Sequence, residues 1–122
     1  ILEYKNRKTY VSVFLTNNEE IKKINSKYRK INKPTNVLSF PQNEKRMISN
    51  LENYLVLGDI VISLEKILSE ANDQKKNFFD HLLHMIVHSA LHLYGFDHSN
   101  TKESIEMEAK EKDIMNKILY ES

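Results

Sequence analysis

All five histidines of this 122-residue chain fall in one run, HLLHMIVHSALHLYGFDH, at His81, His84, His88, His92 and His98. Imidazole is the commonest side-chain ligand of transition metals, so the cluster points to metal chemistry. His88, His92 and His98 have the spacing H-x-x-x-H-x-x-x-x-x-H, with Gly95 between the second and third. An α-helix turns about 100° per residue, so His88 and His92 project from one face, one turn apart. Gly95 permits the left-handed backbone that ends a helix, and the chain can then swing back to bring in His98. Three imidazoles from two helical turns and a returning loop leave a fourth position open, the layout of a catalytic metal site rather than a closed structural one. Zinc is the natural occupant; nickel, copper or iron would accept the same donors.

The spacing is that of the H-E-x-x-H-x-x-G-x-x-H metalloproteases except at the second position, where Ser89 stands for glutamate. That glutamate takes the proton from the attacking water, which an ordinary serine hydroxyl cannot do near neutral pH. Peptidase chemistry is therefore disfavoured, and metal-assisted hydrolysis of another substrate survives. Nothing in the spacing demands His81 or His84 as ligands. They are expected to be hydrogen-bonded histidines, with shaping the cleft or touching a substrate left open.

The elements that must position these residues follow from pattern. The chain is expected to be one domain with a real core, at 40% hydrophobic and 29% charged residues. Its net charge of +1 says nothing about nucleic acid by itself. Without cysteine, a disulfide scaffold, a thiolate metal site and a cysteine nucleophile are excluded, and a reducing cytosol is compatible. No apolar run approaches the roughly 20 residues that cross a bilayer, so no membrane partner is expected.

Residues 1–9 read as a helix end and a basic turn, and Tyr10 to Thr16 as a strand. Asn17 and Asn18 ahead of Glu19 and Glu20 start a helix with the stripe Ile21, Ile24, Tyr28 and Ile31. Lys22, Lys23, Lys27, Arg29, Lys30 and Lys33 make its other faces basic. Thr35 to Phe40 reads as a short strand stopped by Pro41, and residues 41–53 as the longest loop. Tyr54 to Ser63 reads as a central strand broken at Gly58 and Asp59, and Ser63 caps a helix carrying Leu64, Ile67, Leu68 and Ala71.

The histidine helix runs from Asn77 to about Tyr94, with the apolar stripe Phe79, Leu82, Leu83, Ile86, Ala90 and Leu93 turned away from His88 and His92. Asn100 with Glu103 opens a last helix, packed through Ile105, Ala109, Ile114, Ile118 and Leu119 but largely exposed. Without clean βαβ alternation, the fold class is α+β or mixed α/β: a small sheet with helices around it.

Three stretches together resemble one family. HSALHLYGFDH is similar to H-G-x-L-H-L-x-G-Y-D-H of the YbeY family, bacterial endoribonucleases of rRNA maturation. TNVLSFP, from Thr35 to Pro41, resembles its T-D-V-L-S-F-P, and LGDI, from Leu57 to Ile60, matches its L-G-D-I. Tyr28–Arg29 sits where the family places its arginine. The matches span roughly residues 11–120 in order, and the histidine signature is the most specific.

The resemblance implies a zincin-like α+β fold with a small mixed sheet, the metal lying on a central helix and the loop after it. It implies a cytoplasmic, zinc-dependent endoribonuclease of single-stranded RNA, acting in small-subunit rRNA 3′-end maturation and ribosome quality control. The metal ligands carry over onto His88, His92 and His98, and the functional arginine onto Arg29. Ser89, Asn36 and Phe96 depart from the pattern, replacing a glycine, an aspartate and a tyrosine. Family members usually carry a strand and most of a helix ahead of Tyr10. Ile1 to Lys8 therefore reads as the end of that helix, and an N-terminal strand is expected to be missing.

Roles follow as expectations. The metal would polarise the scissile phosphate, and Arg29, planar and always charged, would hold it. From spacing alone Arg29 is one more solvated cation; the family match reverses that. The basic run would guide RNA or be merely solvated. Asp97 would cap the turn after Gly95 in preference to orienting a ligand, and Asp59 ends its strand or faces the cleft. Two rival functions remain, a zincin-type peptidase and a ribosome-associated RNA-binding protein with a structural metal.

Overall fold

The computed structural model describes residues 2–4, 7–42, 54–95 and 100–120. Strand β1 (Leu2–Tyr4) and strand β2 (Arg7–Thr16) are followed by helix α1 (Asn18–Arg29), then by strands β3 (Val37–Pro41) and β4 (Tyr54–Ser63). Helices α2 (Leu64–Asp73), α3 (Phe78–Tyr94) and α4 (Thr101–Tyr120) complete the chain. The strands form one sheet in the order β1-β2-β4-β3, with β2 and β4 parallel and the outer pairs antiparallel. This is the small mixed sheet with surrounding helices that the pattern predicts.

Successive strand residues face opposite sides of a sheet, and β4 uses both. Ile60 and Ile62 pack with Ile67 of α2 and Ala90 and Leu93 of α3. Val61 turns the other way, joining Leu38 of β3 and Ile21 of α1. Helices α1 and α3 therefore cover opposite faces, and β4 is buried between them. Helix α4 lies outside α3, through Met107 and Ile114 against Val87 and Leu91.

The capping signals hold. Asn17 Oδ1 accepts from Glu20 N at 2.9 Å, and Asn100 Oδ1 from Glu103 N at 2.9 Å. Ser63 Oγ accepts from Lys66 N at 3.3 Å and donates to Asn18 Oδ1 at 2.6 Å, tying the start of α2 to the start of α1.

Several expectations are corrected. Where a helix end is expected over residues 1–9, the described residues 2–4 and 7–9 are instead β1 and the start of β2, paired as Leu2↔Thr9 to Tyr4↔Arg7. The alternation of Leu2 and Tyr4 fits a strand once a partner lies beside it, and that cross-strand pairing is not local information. Past Thr9 no described strand lies on that side of β2, and Val13, Phe14 and Leu15 are exposed.

Pro41 does not stop β3 but belongs to it, opposite Gly58. Because Gln42 N–H donates to Leu57 O at 2.9 Å, the neighbouring Pro41 nitrogen points to the outer edge, where no ladder donor is needed. The loop expected over 41–53 lies, from residue 43, outside the described residues.

Gly58 and Asp59 do not break β4; the register slips by one residue there, Tyr10 facing Val56 and Val11 facing Gly58. Asp59 stays within the strand, exposed and opposite Phe40.

The apolar stripes are also redrawn. In α1 Ile21 is buried, but Tyr28 is exposed within the helix, and Ile31 is exposed past Lys30, whose left-handed conformation (φ 61°) ends the helix. In α2 Ile67 and Ala71 are buried while Leu68 is exposed. In α3 Phe79 is exposed, and Leu83 packs with the α4 group rather than against the sheet. Ile105, Ala109 and Leu119 of α4 are exposed, and Met107 takes the buried place.

A Cβ on Gly58 would lie 2.2 Å from the Phe40 carbonyl oxygen at a φ of +148°, whereas one on Gly95 (φ +127°) meets nothing within 4 Å. Gly58→Ala should therefore cost on the order of 3 kcal/mol, from backbone displacement as well as strain. Gly95→Ala should cost only the strain, about 1–2 kcal/mol. Urea midpoints at unchanged slope measure both, and equal losses would show that the β3–β4 approach does not limit stability.

Candidate metal centre

Helix α3 presents its histidines because every other side of it is claimed. Leu82, Met85, Ile86, Ala90 and Leu93 meet the sheet group, and Leu83, Val87 and Leu91 meet the α4 group. His84, His88 and His92, one turn apart, form the remaining line. Asn77 caps the start, accepting from Phe79 N and Asp80 N, and Gly95 closes the end, its N–H reaching the His92 and Leu91 carbonyls.

His88 and His92 are brought together as the spacing predicts. Their Nε2 atoms lie 3.2 Å apart, with ring centroids at 4.7 Å and planes at 76°. Two imidazole nitrogens on one tetrahedral zinc, each about 2.0–2.1 Å from it, are about 3.3–3.4 Å apart. The pair thus has the bite of a shared ion, and its donors suit zinc. His98, the third expected ligand, and Asp97 lie outside the described residues.

The residue that spacing missed is Glu111. It sits on α4 between the buried Met107 and Ile114, and is itself 7% exposed. Its Oε2 pairs with His84 Nε2 at 2.9 Å, and its Oε1 with His88 Nδ1. Burial pushes the Glu111 carboxyl up, but hydrogen bonds from His84 and His88, and electrostatic attraction to those rings, outweigh it and leave the pKa below its ordinary value. The carboxylate is therefore the charged form and can only accept, so both rings donate to it. Glutamate among the many charged residues of a C-terminal helix reads as solvated; only the packing of α4 on α3 turns it inward.

His84, His88 and Glu111 each offer a ligand atom, all within 4.8 Å of one another, and this group could itself hold a metal ion. A metal there would replace the hydrogen bonds these atoms now make to each other. One held by the two Nε2 atoms of His88 and His92 would leave them in place.

His81 is the hydrogen-bonded histidine expected. It is buried, with Nε2 at 3.1 Å from Glu70 Oε1, and Asn36 Nδ2 lies 3.3 Å from both Glu70 oxygens. An aspartate at position 36 would set two carboxylates against each other, so the asparagine there has a local reason. Ser89 is buried. Arg29 is the exposed last residue of α1, on the face of the sheet opposite α3. Lys23 of the basic run is engaged by Glu20 and Glu19, at 3.4 and 3.9 Å.

A model of the family described as Endoribonuclease YbeY matches residues 2–119. The chain belongs to that family. It is 47% identical to an endoribonuclease YbeY of Bartonella bacilliformis over 108 residues, covering 88% of this chain and 67% of the relative. Identity is 43% to that of Colwellia psychrerythraea, with the same coverage. To that of Neorickettsia sennetsu it is 38% over 112 residues, 92% of this chain and 75% of the relative. The fold is similar to a solution structure of a Thermotoga maritima protein, with a TM-score of 0.67 at 31% identity, covering 93% of this chain and 70% of that one. The chain thus spans about two-thirds to three-quarters of the length of these YbeY relatives.

The two arrangements of donors are separable. His92→Ala should lower zinc affinity by at least about 100-fold, measured by competition with a chromophoric chelator, while His84→Ala should cost about tenfold. The reverse order would place the ion among His84, His88 and Glu111 instead.

Proposed function

We propose that the protein is a metal-dependent endoribonuclease of single-stranded RNA, with zinc held by His88, His92 and His98. We further propose that it acts in the cytoplasm on the small-subunit rRNA 3′ end and in ribosome quality control, as its family resemblance implies. The observation that carries the reading is the 3.2 Å approach of the His88 and His92 Nε2 atoms within a chain of the YbeY family. No helix of the described residues is long and apolar enough to cross a membrane.

Zinc bound there supplies a Lewis acid for a phosphoryl oxygen. The protein's own groups do the rest. His88 is held by Glu111, so its Nε2 is the lone-pair nitrogen offered to a ligand. Arg29 offers a planar fork of donors for a phosphate, and an exposed position suits a residue that meets its substrate from solution. Lys22, Lys27, Lys30 and Lys33 are exposed and attract the RNA backbone. The peptidase alternative lacks its base, since Ser89 is a buried hydroxyl beside the first ligand.

Cleavage of a single-stranded RNA should be lost on chelation, restored by zinc, and fall to background in His88→Ala and His92→Ala. Arg29→Ala should slow it by about 10- to 100-fold, the cost of one lost charge-assisted contact to a phosphate of the RNA. Undiminished cleavage by the histidine variants, with native circular dichroism, would reject the proposal.

RNA affinity should also fall with salt. Lys22→Ala with Lys27→Ala should flatten the slope of log affinity against log salt by about 0.7 per phosphate contact removed. An unchanged slope would assign these lysines to a merely solvated face.

A further inference from the structure

We infer that Glu111 is a positioning residue of the metal centre: it fixes His88 in the tautomer and ring orientation that turn its Nε2 toward His92, with His84 bracing the carboxylate from the other side. The inference rests on the metal reading above, and its test separates the two.

A free histidine ring can place its proton on either nitrogen and rotate about its side-chain bonds. His88 has neither freedom. Glu111 Oε1 accepts a hydrogen bond from Nδ1–H, so in the neutral ring the lone pair is on Nε2, the atom that lies 3.2 Å from His92 Nε2. The carboxylate is itself held. Its second oxygen receives His84 Nε2 at 2.9 Å, and Met107 and Ile114 of the same helix are buried against Val87 and Leu91. Swinging Glu111 away would break both of its hydrogen bonds to α3 at once.

The hydrogen-bonded line His84–Glu111–His88 runs from an open groove, which His84 lines with Glu108, Lys112, Met115 and Asn116, to the nitrogen offered to the metal. A carboxylate behind a ligand imidazole also makes that imidazole a stronger donor. A merely structural ion pair between α3 and α4 would need neither the choice of Nδ1 nor the alignment of Nε2 with a second histidine.

The test uses the whole chain with three variants. In the metal-free wild type, ¹⁵N-resolved NMR should show His88 as the Nδ1–H tautomer. In Glu111→Leu it should become a mixture, and zinc affinity by chelator competition should fall about 10- to 100-fold with the fold retained. Glu111→Gln, which keeps one acceptor but no charge, should lie between the two and serves where the leucine variant does not fold. Wild-type tautomer and affinity in a folded Glu111 variant would overturn the proposal. Retention of zinc by His92→Ala, with its loss in both Glu111→Leu and His84→Ala, would make Glu111 a direct ligand and overturn it as well. If His92→Ala binds zinc like the wild type while the tautomer still depends on Glu111, the His88–His92 metal reading fails and the orienting role alone survives.

Discussion

Everything about the site depends on α3 having two apolar sides to bury. One meets the sheet through Leu82, Ile86, Ala90 and Leu93; the other meets α4 through Leu83, Val87 and Leu91. The buried Val87, Leu91 and Leu93 contribute about 1.5–3 kcal/mol each, and the half-buried neighbours less, so together they fix the rotation of the helix about its axis. What remains is a narrow line of histidines whose direction is set by packing rather than by any interaction of their own. A helix buried on only one side could roll, and the two Nε2 atoms would then lose their common direction.

The polar groups beside this helix are arranged in two braces. Glu70 joins His81 and Asn36, tying α2, α3 and the approach to β3. Glu111 joins His84 and His88, tying α4 to α3. Each uses a carboxylate as the central acceptor, which suits partners that can all donate. The upstream brace holds the buried His81 by its Nε2; the downstream one holds His88 by its Nδ1 and leaves its Nε2 facing His92. The same chemistry thus serves fold at one end of the helix and site at the other.

Much of this was legible in the sequence because it is local. The i, i+4 spacing of His88 and His92, the caps at Asn17, Ser63 and Asn77, and the glycine closing α3 each depend on a few adjacent residues. The illegible parts need a partner from elsewhere. Leu2 and Tyr4 become a strand only beside Arg7 to Thr9, and Gly58 is explained only by the Phe40 carbonyl across the sheet. Glu111 looks like any solvated acid until α4 docks. The periodicity of Ile21, Ile24, Tyr28 and Ile31 misled at its end for a different reason: the left-handed Lys30 stops the helix before Ile31.

Pro41 carries a consequence beyond its place in β3. With its nitrogen turned outward, the outer rim of this strand lacks a donor at that residue. A second extended chain laid along β3 would find its hydrogen-bond ladder interrupted there, so growth of the sheet by recruiting foreign strands is checked on this side. The opposite rim, where Val13, Phe14 and Leu15 are exposed, has no such gap among its described residues.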